Sequence, residues 1–363
     1  MQVVYNSFGG RYSDNPRVIH EALVARNEPA THVWLRDPDY GRSFPSGVET
    51  VPMASRESVV ALESADVVVS NTHIEFDWAK APGAVYLQTW HGTPLKHIHR
   101  DSLWAPPGTV DRLSVDVQRW DQLISPNRPS TTWLTGAFRF AGEVLETGYP
   151  RNDVLSSPDR HRLRTEVRRQ LGIGDDKTVV LYAPTWRDDL VEPEVFPLQL
   201  DVEQFTRRLG SDHVLLLRLH YFDSARLGPV TGPGVFDVSR HADISDLYLA
   251  ADVMVTDYSS TMFDFAVTGK PMLFFTYDLE HYRDRLRGFY FDLGQDAPGP
   301  MLETTDEVLD ALTDLAGGGM RYADAYARFR ERFCHLEDGR ATERVLERVF
   351  PLAAAVDPRR ECP

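Results

Sequence analysis

Cysteine is nearly absent: of 363 residues only Cys334 and Cys362 carry a thiol, the second in a polar tail that ends in proline. That excludes a disulfide framework and a cysteine-based zinc site, and fits a reducing cytoplasm. Long apolar runs are also missing. No stretch approaches the roughly 20 residues a membrane helix needs, and the chain enters a strand-like pattern with no charged and apolar leader before it. A cytoplasmic protein is expected, and any membrane contact should be peripheral, at the inner face. Positive charge is in deficit, with 39 Lys and Arg against 54 Asp and Glu for a net charge of -15. Sequence-independent nucleic-acid binding replaces phosphate counterions with a basic surface, so no nucleic-acid partner is expected. Local basic groups remain at Lys96, His97, His99 and Arg100, at 160–169, and at Arg283, Arg285 and Arg287. They leave small anionic substrates or lipid headgroups open. A Walker lysine motif, a complete dinucleotide glycine fingerprint, a nucleophile elbow and a fixed-period repeat are all lacking.

What is present is a globular composition, 42% hydrophobic with 24 Gly and 24 Pro, at a length that suits two domains. Short apolar runs at 3–8, 32–35, 66–70, 85–89 and 123–126 read as strands, with helical patterns at 16–26 and 56–63 between them. The second half repeats this with runs at 178–183, 213–219, 235–238, 252–256 and 271–275. Such alternation predicts an α/β fold of two Rossmann-like, doubly wound units. We expect units over 1–155 and 177–335, a charged linker over 156–176, and a C-terminal helix and tail over 336–363. Doubly wound sheets bind ligands beyond the carboxyl ends of their strands, so two such units facing each other form a central cleft.

Residues just after strands are therefore the candidates. Asp257-Tyr258-Ser259-Ser260 follows the run at 252–256 and opens a helix that Gly269 and Pro271 end. Free N–H groups, a positive dipole end and the hydroxyls of Ser259 and Ser260 suit a phosphate, although serines there are often only caps. Gln88-Thr89-Trp90-His91-Gly92-Thr93-Pro94-Leu95-Lys96 cannot be regular structure, which projects His91 into the cleft as a candidate base or as a loop histidine bonded to backbone. Arg218-Leu219-His220 ends an apolar run with a cation and an imidazole on one face. Ala183-Pro184-Thr185-Trp186-Arg187-Asp188 follows a strand in the same way, as an anion site or an ordinary proline turn. Weaker signals are Gly9-Gly10-Arg11 as a loop of close approach, Asp37-Pro38-Asp39 as metal carboxylates or a turn, and His91, His97 and His99 as a paper metal site without acidic ligands.

Taken together these stretches resemble the CDP-glycerol glycerophosphotransferase family of teichoic-acid primases and polymerases. Further matching pieces are residues 7–16, Gly148-Tyr149-Pro150-Arg151-Asn152-Asp153, and 243–291 with its Tyr282-Arg283-Asp284. The resemblance implies a GT-B architecture with no required metal or cofactor, an acceptor-side first unit and a nucleotide-holding second unit. It implies catalytic roles for His91 and His220. Substrate or nucleotide contacts then fall on Thr185, Arg187, Arg218, Asp257, Ser259, Ser260, Gly92, Thr93 and Arg151. The implied donor is CDP-glycerol or a related CDP-polyol, and the implied acceptor a lipid-linked or polymer hydroxyl. From the acidic charge and the immediate start at the transferase unit, transfer is expected rather than long-chain polymerisation or tight membrane attachment. The rival readings are a nucleotide-sugar glycosyltransferase or epimerase of the same fold, a transferase acting on a soluble metabolite, and a non-catalytic binding protein.

Overall fold

The computed structural model describes residues 1–351 apart from 104, 186, 188–197, 220–231 and 316–320. Seven strands form the first sheet: β1 (Gln2–Asn6), β2 (Thr31–Arg36), β3 (Glu49–Pro52), β4 (Val67–Ser70), β5 (Val85–Gln88), β6 (Gln122–Ser125) and β7 (Glu143–Glu146). Six form the second: β8 (Thr178–Ala183), β9 (His213–Leu217), β10 (Val235–Asp237), β11 (Val253–Thr256), β12 (Met272–Phe275) and β13 (Met301–Leu302). Every pairing between these strands is parallel. Parallel sheets bury both faces, which is why the strands read as continuous apolar runs rather than as alternating ones. In β8, Val179 and Leu181 enter one core and Val180 and Tyr182 the core on the opposite face. Val3 and Tyr5 of β1 likewise part from Val4.

The sheet orders are β3-β2-β1-β4-β5-β6-β7 and β10-β9-β8-β11-β12-β13, so direction reverses between β1 and β4 and between β8 and β11. The expected α/β fold of two doubly wound units is present, and its switch points fix where ligands can enter. The charged stretch between the sheets becomes the helix Arg160–Leu171, whose Val167 joins the second unit's core beside Leu247 and Ala250. The helix Ala341–Val349 then crosses back, placing Val345 and Leu346 in the core of the first sheet. Among the described residues no helix is long and apolar enough to cross a membrane.

Candidate active site

A cleft of ≈ 720 Å³ lies between the units, bordered by Phe8, Arg11, Asp14, His73 and His91 on one side and Arg218, Tyr248 and Ser260 on the other. The loops after β1, β4, β5, β9 and β11 all reach it, as the topology requires. Phe8, Asp14 and Trp90, on or beside its walls, hold left-handed backbones with φ of 45°, 62° and 52°. Such strain is kept where surrounding structure over-determines it, as at ligand sites.

The loop after β5 delivers His91. Its Nδ1 lies 2.5 Å from the carbonyl oxygen of Asn71, in the loop after β4. A carbonyl only accepts, so Nδ1 carries the proton and Nε2 keeps its lone pair. Burial lowers the His91 pKa, outweighing the opposing pull of the Asn71 carbonyl and Asp14. The ring is therefore neutral near pH 7 and can take a proton. Next in sequence, Gly92 donates its N–H to Tyr149 Oη at 3.2 Å. A Cβ at Gly92 would stand 2.8 Å from Ser260 Oγ, so the His91 loop and the start of the helix Thr261–Val267 touch because that position is glycine. Thr93 is buried and holds the loop from behind, its Oγ1 accepting from Asn127 Nδ2 at 3.0 Å.

Across the cleft the two serines divide their roles. Ser259 Oγ accepts from the Thr261 N–H at 3.4 Å, the capping role. Ser260 makes no side-chain cap and borders the cleft. Arg218 donates through Nη1 to the carbonyls of Val238 (2.8 Å), Ser239 (2.8 Å) and His241 (2.6 Å), which aims its guanidinium. No carboxylate among the described residues pairs with it. Burial, with Arg11 on the facing wall, lowers its pKa. A half-buried cation that has no carboxylate partner among the described residues and faces a second arginine is a place for an anion.

The remaining candidates lie beneath the cleft or brace it. Asp257 is buried, accepting from Thr185 N–H (2.8 Å), Tyr258 N–H (2.6 Å) and Arg187 Nη1 (2.9 Å). Arg187 also meets Asp278 at 2.7 and 3.0 Å and packs on the rings of Tyr258, Tyr277 and Tyr282. Two carboxylates hold its guanidinium, and Thr185, Arg187 and Asp257 form the base on which the Tyr258-Ser259-Ser260 turn rests. Arg151 reaches the cleft but joins Asp14 (2.5 Å) to Asp264 (2.7 Å). It is a strut between the units rather than a free cation. Arg164 and Arg168 bond the carbonyls that end the helix Ile244–Ala250 and pair with Asp252. His99 Nδ1 donates to the Ala137 carbonyl and His97 packs on Tyr290, so these two do not converge with His91. Asp37 caps a turn by accepting from the Asp39 N–H at 2.9 Å, which explains the pair without a metal. Among the described residues no three His, Cys, Asp or Glu converge as a metal site. His220 lies outside the described residues.

Asn71, His73, Asp14 and Asp264 join the site without having been candidates from sequence. The first two had a signal: Asn71-Thr72-His73 is a polar triplet directly after an apolar strand. The carboxylates fall inside the matching stretches 7–16 and 243–291, but nothing local marks them as partners of Arg151, 137 and 113 residues away.

The family described as CDP-Glycerol:Poly(glycerophosphate) glycerophosphotransferase matches residues 1–351. The chain is 41% identical over 365 residues to the teichoic acid glycerol-phosphate transferase of Staphylococcus aureus, covering 96% of this chain and 92% of that protein. It is 38% identical over 361 residues to the teichoic acid poly(glycerol phosphate) polymerase of Bacillus subtilis, covering 96% of this chain but only 48% of that protein, about half its length. Among solved structures, the wall teichoic acid polymerase TagF superposes with a TM-score of 0.87 at 36% identity, covering 95% of this chain and 87% of that one. Matched over residues 1–351 by the family and over 95% of its length in fold, with the His-Gly-Thr-Pro loop facing the Ser259-Ser260 turn, this chain belongs to the CDP-glycerol:poly(glycerophosphate) glycerophosphotransferase family.

Proposed function

We propose that this chain transfers a polyol phosphate, most directly glycerol phosphate, from a CDP-polyol to an acceptor hydroxyl in teichoic-acid-type polymer synthesis, releasing CMP. The observation that carries the reading is the contact of Gly92 with Ser260, which sets a neutral His91 against Ser260 and Arg218 across one cleft. A TagF variant soaked with CDPG is among the structures the chain matches, which supports a CDP-glycerol donor. In the reaction we infer, His91 Nε2 takes the proton of the acceptor hydroxyl as that oxygen attacks the β-phosphorus. A new P–O bond forms, the bond from that phosphorus to the bridging oxygen breaks, and CMP leaves. Ser260 and Arg218 balance the charge of the diphosphate, so that positioning and electrostatics supply the rate. The first unit would take the acceptor and the second the nucleotide. We assign His220 to the diphosphate on sequence alone.

The reaction is proposed to need no metal, and the acceptor to be lipid-linked, met peripherally at the inner membrane face. Incubation with CDP-glycerol and a lipid-linked glycerol phosphate acceptor should release CMP, unchanged by EDTA. His91→Ala should lose about a hundredfold or more in turnover while keeping its fold by circular dichroism. Near-normal turnover in that variant would remove His91 from the reaction. Salt-washable co-sedimentation with membranes is the corresponding check on location.

A further inference from the structure

We propose that His73 is a further substrate-contacting residue, whose Nε2 hydrogen-bonds a hydroxyl of the acceptor polyol on the first unit's side of the cleft; this rests on the transfer reading above. His73 stands two residues beyond Asn71, whose carbonyl sets the His91 tautomer, so one loop serves both histidines. The ring is clamped among aromatics: stacked on Trp120 (5.2 Å between centroids) and His99 (5.7 Å), and edge-on to Trp90 and Phe138. Its side chain is 7% exposed. Nδ1 is buried without a hydrogen-bond partner, 3.8 Å from Asp116 Oδ2 and so beyond bonding distance. The ring borders the cleft, and with Nδ1 buried on the Asp116 side, Nε2 is the nitrogen left to meet a ligand there. Asp116 itself is fixed, accepting from Ile74 N–H (3.2 Å), Tyr86 Oη (3.1 Å) and Trp120 Nε1 (2.9 Å).

A rigid imidazole with one buried, unsatisfied nitrogen costs stability, and it is retained where its other nitrogen has a task. Burial, with His99 and His91 adding to it, holds the His73 pKa down at about 3. The ring is then neutral throughout the working range. It can bond a hydroxyl but cannot balance a phosphate, a task for which Arg218 stands on the other wall. Phe76 and Glu75 complete the same wall, the carboxylate of Glu75 held at 3.1 Å by Arg112. An aromatic face for C–H groups, a neutral nitrogen and a carboxylate for hydroxyls together match a polyol chain.

The test splits acceptor from donor. His73→Phe removes the nitrogen, while His73→Gln places an amide near the position of Nε2. Expected for His73→Phe is a threefold to tenfold rise in the KM for the glycerol phosphate acceptor, with kcat and the calorimetric Kd for CDP-glycerol little changed, and partial recovery in His73→Gln. Equal losses for donor and acceptor, or no change in either variant, overturn the assignment. A second measurement needs no turnover: the His73 Cε1 resonance, identified by its loss in His73→Gln, is followed while a glycerol phosphate dimer is added without donor. It should shift; a stationary resonance overturns the proposal even where the enzyme is active. A shift in a wild-type protein that releases no CMP would instead sink the transfer reading and leave the subsite standing.

Discussion

Which ring nitrogen of His91 carries the proton decides what the site can do, and a backbone carbonyl makes that choice. With Nδ1 committed to Asn71, only Nε2 can serve as the proposed base, and in that role its protonation would stop the reaction. Because burial lowers the His91 pKa, the protonated form should take over only below the ordinary histidine value of about 6.5. We therefore expect kcat/KM to rise with pH and level off with a midpoint under 6.5, followed as CMP release between about pH 4.5 and 8. An acid limb centred above 6.5 would contradict a desolvated His91. The same scale shows where sequence reasoning stops. Asp257 and Ser260 sit three residues apart in one quoted motif, yet one is buried in an arginine cage and the other faces the ligand space. Nothing in the local pattern separates them, because the cage is completed by Asp278, 91 residues from Arg187. The place of His91 in the cleft was legible because no regular element could hold it.

Elements were more legible than side chains, for a reason that also explains the misses. Nine of the strands are apolar runs because central parallel strands bury both faces, and the edge strand β10 adds a short run at 235–238. Strands β3, β7 and β13 escaped notice: they lie at or next to sheet edges, hold two to four residues, and carry Glu49, Glu143 and Glu146 on open positions. The proposed transfer at this scale depends on two elements from different units touching at Gly92 and Ser260. In Gly92→Ala the new methyl would meet Ser260 Oγ at 2.8 Å, inside contact distance, so the His91 loop and the Ser260 turn must part. The φ of Gly92 is not in the left-handed region, so the cost is packing alone, roughly 1–3 kcal/mol. We expect Gly92→Ala to fold, with a modest drop in the urea midpoint, and to lose at least about tenfold in turnover through displaced groups. Full activity in this variant would mean that the two elements need not touch during the reaction.

Over the whole molecule, the units are joined by charge and by a returning helix. Arg151 links Asp14 to Asp264, Arg17 meets Asp243, and the helix Ala341–Val349 carries Leu346 from the second unit's side into the first unit's core. Glu337 lies just before that helix, with Oε1 accepting the Tyr149 N–H at 3.1 Å and Oε2 buried without a partner. Burial, with Asp264 adding to it, raises the Glu337 pKa from 4.5 to about 8. The sign follows from proton counting. Between those values the folded protein keeps the proton that the unfolded chain has released, so the unfolded state is increasingly favoured as pH rises. The destabilisation grows by at most about 1.4 kcal/mol per pH unit and is absent below the unfolded value. Glu337→Gln keeps the shape, supplies an amide in place of the proton and removes the titration. Its thermal midpoint should therefore exceed that of the wild type by more at pH 8 than at pH 5. Equal differences at the two pH values would show that Glu337 does not hold its proton in the joint between the units.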